Sequence, residues 1–155
     1  MSRSRLTLDS LPETLQAWCQ HLGLPIEARY APSGDEDLFP NRLLIEGPGA
    51  EALAAQRGLG LDALQFLVHE GQGHPEDGKL AYLDAQGTRL FRMKEVVAMA
   101  KLAAEKARQM GNHTMGALSP RERRWVHITL ERDGDLGSES EGVGNFKQVR
   151  VFKKG

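Results

Sequence analysis

The sequence predicts an α+β protein in two parts, and three observations carry that prediction. From Leu8 to Gly87 short helical and strand-like patterns follow one another in the order α-β-β-α-α-β. From Leu90 to Met110 runs the strongest helical periodicity in the chain. The charge is also divided: residues 1–78 hold 5 Lys/Arg and 12 Asp/Glu, a net of −7, whereas residues 79–155 hold 15 and 9, a net of +6. The overall formal charge of −1 hides this asymmetry. With 155 residues, 40% hydrophobic and 26% charged, the chain has enough apolar surface for a packed core and is not a disordered tail. By charge, the second half is the candidate polyanion-binding unit.

The elements follow in order. In "LDSLPETLQAWCQHLGL", Leu11, Leu15, Trp18 and Leu22 recur at helical spacing, and Gly23 supplies a stop. "IEARYA" alternates with the strand period, "PSGDEDLFPN" is a polar turn, and "RLLIEG" is a second strand. "AEALAAQ" leads to Gly58 and Gly60, and "LDALQFLVHE" sets Leu61, Leu64 and Leu67 on one face, giving a helix, a glycine turn and a helix. "GQGHPEDG" is loop by composition, and "KLAYLDAQG" is a third strand ended by Gly87. The long helix then places Met93, Val96, Val97, Ala100, Ala104 and Ala107 at three- and four-residue steps. Lys94, Lys101 and Arg108 repeat every seven residues along one edge, a pattern that reads as a solvated face. "GNHTMGA" breaks the helix.

The segment "SPRERRWVH" has clear local chemistry. Ser119 is a helix cap, Pro120 fits the first helical position, and Glu122 closes a capping box with Ser119. Arg123 and His127 therefore stand at i and i+4 on one face, with Trp125, Val126 and Leu130 left to pack elsewhere. A guanidinium fork and an imidazole side by side suit one phosphate, with the imidazole adding a hydrogen bond and no need of full charge. That is backbone recognition and not base reading.

The Arg-x-x-x-His spacing in "SPRERRWVHITLE", followed by "SESEGVGNFKQVRVFKKG", resembles the R3H domain, a small nucleic-acid-binding module; the resemblance covers roughly residues 90–155. "AAQRGLGLDALQFL" resembles the Gly-x-x-Gly turn and second helix of a type II KH domain, whose element order matches the six read above. A KH domain joined by a long helix to an R3H domain is the arrangement of the Jag family, also called KhpB, of bacterial RNA-binding proteins. The resemblance implies a KH domain over residues 1–86, and an R3H domain over 87–155 including its leading helix. It implies binding of single-stranded RNA or RNA loops through Arg123, Arg124, His127, Lys147 and Arg150, with Gln56 and Arg57 contributed by the turn. It also implies a small single-KH partner (KhpA-like), and for some members a link to a membrane insertase. The chain departs from the pattern at Ala55, where the family has its first glycine, so a methyl group stands where the nucleic-acid backbone comes close. That departure and the −7 balance shift the expected binding to the second half.

Other residues carry less. Cys19 is the one cysteine, so no internal disulfide exists, and with no apolar run behind the N-terminal basic residues a soluble, cytoplasmic protein is expected. No cofactor or metal is expected: His69 and His74 lie near Glu70, Glu76 and Asp77, but their spacing fits no known cage. "GDEDLF" lacks the EF-hand pattern and reads as a turn. His21 and His113 have no partner that the sequence identifies, and Trp18 reads as core. An enzyme reading would make His127 a general base in RNA cleavage, yet no second acid or base is nominated beside it. A protein-interaction scaffold with a degenerate KH half is the other alternative.

Overall fold

The computed structural model describes residues 5–73, 75 and 78–155. The chain has an α+β fold in two compact units that divide between Leu90 and Phe91. In the first unit α1 (Leu11–His21), β1 (Glu27–Tyr30), β2 (Arg42–Glu46), α2 (Pro48–Gln72) and β3 (Tyr82–Ala85) follow one another, and α3 (Thr88–Met110) begins at its end. β2 is the middle strand, antiparallel to β1 and parallel to β3. A parallel neighbour needs a crossover, and α2 supplies it. The core joins Leu11, Leu15 and Cys19 of α1 to Leu43, Ile45 and Leu83 of the sheet and to Leu53, Leu61, Leu64 and Val68 of α2. Trp18 packs against this cluster. Leu22 and Leu67, expected on the apolar faces, are exposed, and Cys19 and Val68 occupy the buried stripes instead.

α2 contains the expected turn. Its backbone leaves the helix at Ala55 (φ −62°, ψ 158°), and positive φ follows at Gln56 (53°), Arg57 (60°) and Gly58 (80°). Gly58 adopts this conformation without strain, whereas Gln56 and Arg57 each carry about 1–2 kcal/mol against it. Ala55 lies in an ordinary region, so the backbone there makes no demand for glycine. Arg89 lines the turn: a Cβ added at Gly58 would stand 3.4 Å from its Nη2, and its guanidinium pairs with Asp62.

Side chains of α2 finish the free edge of β3. Gln65 donates to the Ala81 carbonyl (2.8 Å) and accepts from the Leu83 N–H (2.7 Å), while Gln72 accepts from the Ala81 N–H (3.1 Å) and donates to the Lys79 carbonyl (2.9 Å). An edge that would otherwise offer open pairing groups is thereby satisfied. His69 sits 2.9 Å from the same Ala81 carbonyl. His74, Glu76 and Asp77, the rest of the conceivable metal group, lie outside the described residues. Among the described residues no three His, Cys, Asp or Glu side chains gather as a metal site. "GDEDLF" folds as a turn in which Asp35 accepts from the Leu38 N–H, and Leu38 and Phe39 are buried. Fully buried Asp84 accepts from Arg42 Nε (2.8 Å) and from the Arg89 N–H (2.9 Å), capping the start of α3.

In the second unit α3 is followed by β4 (Asn112–Leu118), α4 (Pro120–Glu131), β5 (Leu136–Glu141) and β6 (Lys147–Lys153). The sheet order is β4-β6-β5, with both pairings antiparallel. "GNHTMGA", expected only as a helix break, is thus a strand, because β6 pairs with it from far along the chain. α3 buries Met93, Val96, Ala100, Ala104 and Ala107. It runs in the same direction as α4, since Arg92 pairs with Glu122 near both starts and Arg108 pairs with Asp133 and Asp135 beyond the end of α4. Arg108, the third cation of the expected stripe, also pairs with Glu105, and its charge is spent inside the unit. No described helix is long and apolar enough to cross a membrane.

Candidate nucleic-acid interface

α4 begins where its sequence dictates. Ser119 Oγ accepts from the Glu122 N–H (3.3 Å), and the Ser119 N–H donates to Glu122 Oε1 (2.9 Å), a complete capping box with Pro120 at the first helical position. Burial works to raise the Glu122 pKa, but the Ser119 backbone bond and Arg92 outweigh it and hold the carboxyl below its usual range. This fixed start sets the rotation of the helix. Trp125, Val126, Thr129 and Leu130 turn inward, and Arg123 and His127 fall on the face toward β5 and the β5–β6 loop.

Arg123 works as a staple. Its Nη1 donates to the Leu118 carbonyl at the end of β4 (2.7 Å) and to the Asn145 carbonyl in the β5–β6 loop (2.6 Å). Among the described residues its Nε and Nη2 have no partner, so part of the guanidinium fork is fixed in place and unspent. His127 spans two strand serines: Nδ1 lies 2.6 Å from Ser138 Oγ and Nε2 lies 3.2 Å from Ser140 Oγ. A hydroxyl donates or accepts as needed, so either neutral tautomer is satisfied. Burial depresses the His127 pKa below its ordinary 6.5; the charge of Glu131 opposes this, and that of Arg123 adds to it. The ring is neutral near pH 7.

The strand period decides which further cations join this face. Ser138 and Ser140 point toward α4, so Glu139 between them points away, where it pairs with Arg150 (2.8 Å). Arg150 also lies over the Phe152 ring, 5.0 Å from its centroid. That ring covers Gly137, so that an added Cβ there would overlap it. Ser138 and Ser140 pair with Val151 and Val149, and Lys147 continues that series, so Lys147 shares the His127 side at the rim. Arg123 and His127 therefore share one face of α4, Lys147 lies by register on the same side of the sheet, Arg124 is exposed on the next position of α4, and Arg150 is on the opposite face. Gln56 and Arg57 belong to the first unit and are exposed on its turn.

Ser138, Ser140 and Asn145 are the participants that sequence reasoning missed, together with two exposed apolar residues of the loop, Val143 (92%) and Phe146 (59%). The signal existed in part: "GSESE" places its serines at the strand period, and "GVGNFK" sets an aromatic beside a lysine in a glycine-rich loop.

Residues 94–153 match the family model of the R3H domain. The match supports a nucleic-acid-binding domain in the second unit, of a kind that generally takes single-stranded RNA or DNA. No curated protein matches this chain.

Proposed function

We propose that this protein binds single-stranded RNA or RNA loops by their phosphates, at the surface formed by α4 and the β5–β6 loop, and that it catalyses no reaction there. The observation that carries the reading is Arg123: one guanidinium nitrogen is held by two backbone carbonyls, while Nε and Nη2 remain for an anion beside His127 and Lys147. Holding the fork rigid lowers the entropy lost when it meets a phosphate. A neutral His127 with both nitrogens occupied by serines supports a hydrogen-bonding role in preference to a general base. The membership we favour is the Jag (KhpB) family, with KH and R3H parts over residues 1–86 and 87–155. Its support in the first unit is the α-β-β-α-β order with α2 broken into two helical pieces at Ala55–Gly58, the parallel β2–β3 pair and the left-handed turn at Gln56–Gly58. A bacterial, cytoplasmic setting belongs to this reading, and the buried thiol of Cys19 is compatible with it.

A second reading, a scaffold whose KH-like half meets a protein such as a small single-KH partner, is favoured by the exposed Leu59, Phe66 and Leu67 of α2 after the turn. Titrating the chain with single-stranded RNA and DNA over a range of salt tests the choice. Salt-dependent RNA binding that weakens in Arg123→Ala and leaves the RNA uncut is the expected result. Absence of binding favours the scaffold, and cleavage that disappears in folded His127→Ala restores the nuclease.

A further inference from the structure

α3 has two apolar faces, and the core of its unit uses one. At about 100° per residue, Met93, Val96, Ala100, Ala104 and Ala107 occupy the buried side. On the other side Phe91 (67%), Met99, Leu102 (64%) and Met110 (76%) are exposed. Glu95 and Lys106 lie in the same stripe, which consists of two rows at i, i+4, i+8: Phe91, Glu95, Met99, then Leu102, Lys106, Met110. Among the described residues neither Glu95 nor Lys106 has an ion-pair partner, whereas Arg92, Glu105 and Arg108 on the same helix are all paired.

The order of the stripe is self-complementary. Read forward it is apolar, acid, apolar, apolar, base, apolar; read backward, acid and base exchange places and the apolar positions are unchanged. A two-fold axis between Ala100 and Lys101 sets Phe91 against Met110, Glu95 against Lys106 and Met99 against Leu102. We propose that this face of α3 is a homodimer interface, on which α3 of a second copy of this chain packs antiparallel about that axis. Each Glu95 then meets Lys106 of the partner subunit, twice over, as an isologous contact requires. Parallel packing would set Glu95 against Glu95 and Lys106 against Lys106, so the charges select the antiparallel arrangement. The contact is small beside the roughly 20–30 residues a side of a standard interface, which makes the dimer weak and concentration-dependent. It does not depend on the RNA-binding reading.

The test is sedimentation of the full chain over a wide range of concentration, with circular dichroism to confirm folding of each variant. Wild type should pass from monomer to dimer. Leu102→Lys should stay monomeric. Glu95→Lys and Lys106→Glu, each replacing two attractions by two repulsions, should weaken association about tenfold or more. The double variant Glu95→Lys/Lys106→Glu should restore it, and so should an equal mixture of the two single variants. A chain that is monomeric throughout overturns the proposal, as does a dimer indifferent to Leu102→Lys. Single reversals that associate like wild type, or a double variant that does not recover, overturn it equally.

Discussion

The two units each carry a candidate binding cation, and they hold it by different means. In the first, Arg57 stands on a left-handed turn that the backbone makes by itself, next to Gln56 in the same strained conformation. In the second, Arg123 stands on a regular helix and is fixed by carbonyls of β4 and the β5–β6 loop. A turn of the first kind offers one charge within an acidic half. The second kind ties the end of a strand and a loop to a guanidinium on a helix, and His127 stands one turn further along the same helix. Position along the chain makes a cation available, while tertiary anchoring makes a site of it.

The largest effect should come from dividing the molecule. A fragment of residues 87–155 should retain most of the affinity for single-stranded RNA, and residues 1–86 little of it. Equal binding by the two fragments would remove the asymmetry. Next, Arg123→Ala should weaken binding about tenfold or more across unrelated RNA sequences and lower the salt slope by roughly 0.7, the value of one phosphate contact on a single strand. Its loss also leaves the Leu118 and Asn145 carbonyls without that donor, so melting of the second unit has to be measured alongside. Arg123→Lys, which keeps the charge and loses the fork, should fall between.

The turn of the first unit has no aromatic, whereas the β5–β6 loop carries an exposed one, Phe146. If a base stacks there, Phe146→Ala should cost about 1–3 kcal/mol of binding with the salt slope unchanged, and the loss should vanish on an abasic oligomer. A loss of the same size on abasic strands would refute stacking.

Acid should act on the second unit through His127. Burial keeps the folded ring below its ordinary 6.5, so as the pH falls the unfolded chain takes up the proton first. The stability contributed is full above about 6.5 and is lost as the pH drops toward the folded value. Urea unfolding at stepped pH should show this loss, and His127→Gln should flatten it. Glu122 and Asp135, both held below their usual range, act only lower, through the carboxylate region. A phosphate bound at His127 favours the charged ring, so RNA affinity should rise over the same interval in which stability falls.

The smallest effects belong to the first turn. Arg57→Gly should stabilise the first unit by about 1 kcal/mol through relief of its positive φ, and should weaken RNA binding only slightly. Ala55→Gly with Gln56→Lys should tighten binding if the methyl group hinders an otherwise competent surface. No change would favour a first unit kept for protein contacts.

Local chemistry is legible in the order of the residues. The capping box of Ser119 and Glu122, the break before Gly58 and the buried stripe of α3 depend on neighbours within about four residues, and the sequence specifies them there. β4 is not legible in this way, because "GNHTMGA" has neither alternation nor strong strand formers and becomes a strand only by pairing with β6. Leu22 and Leu67 mislead for a related reason: a helical pattern offers several apolar stripes, and packing partners choose among them. The Arg123 and His127 pair shows both sides. Their spacing on one helical face follows from 3.6 residues per turn, a property of the local chain. That Arg123 spends one nitrogen on two distant carbonyls, that His127 lies neutral between Ser138 and Ser140, and that Arg150 faces the other way are decided by strand register. Register is set by contacts far apart in sequence, and a shift of one residue exchanges the two faces of a strand, so only the tertiary structure determines it.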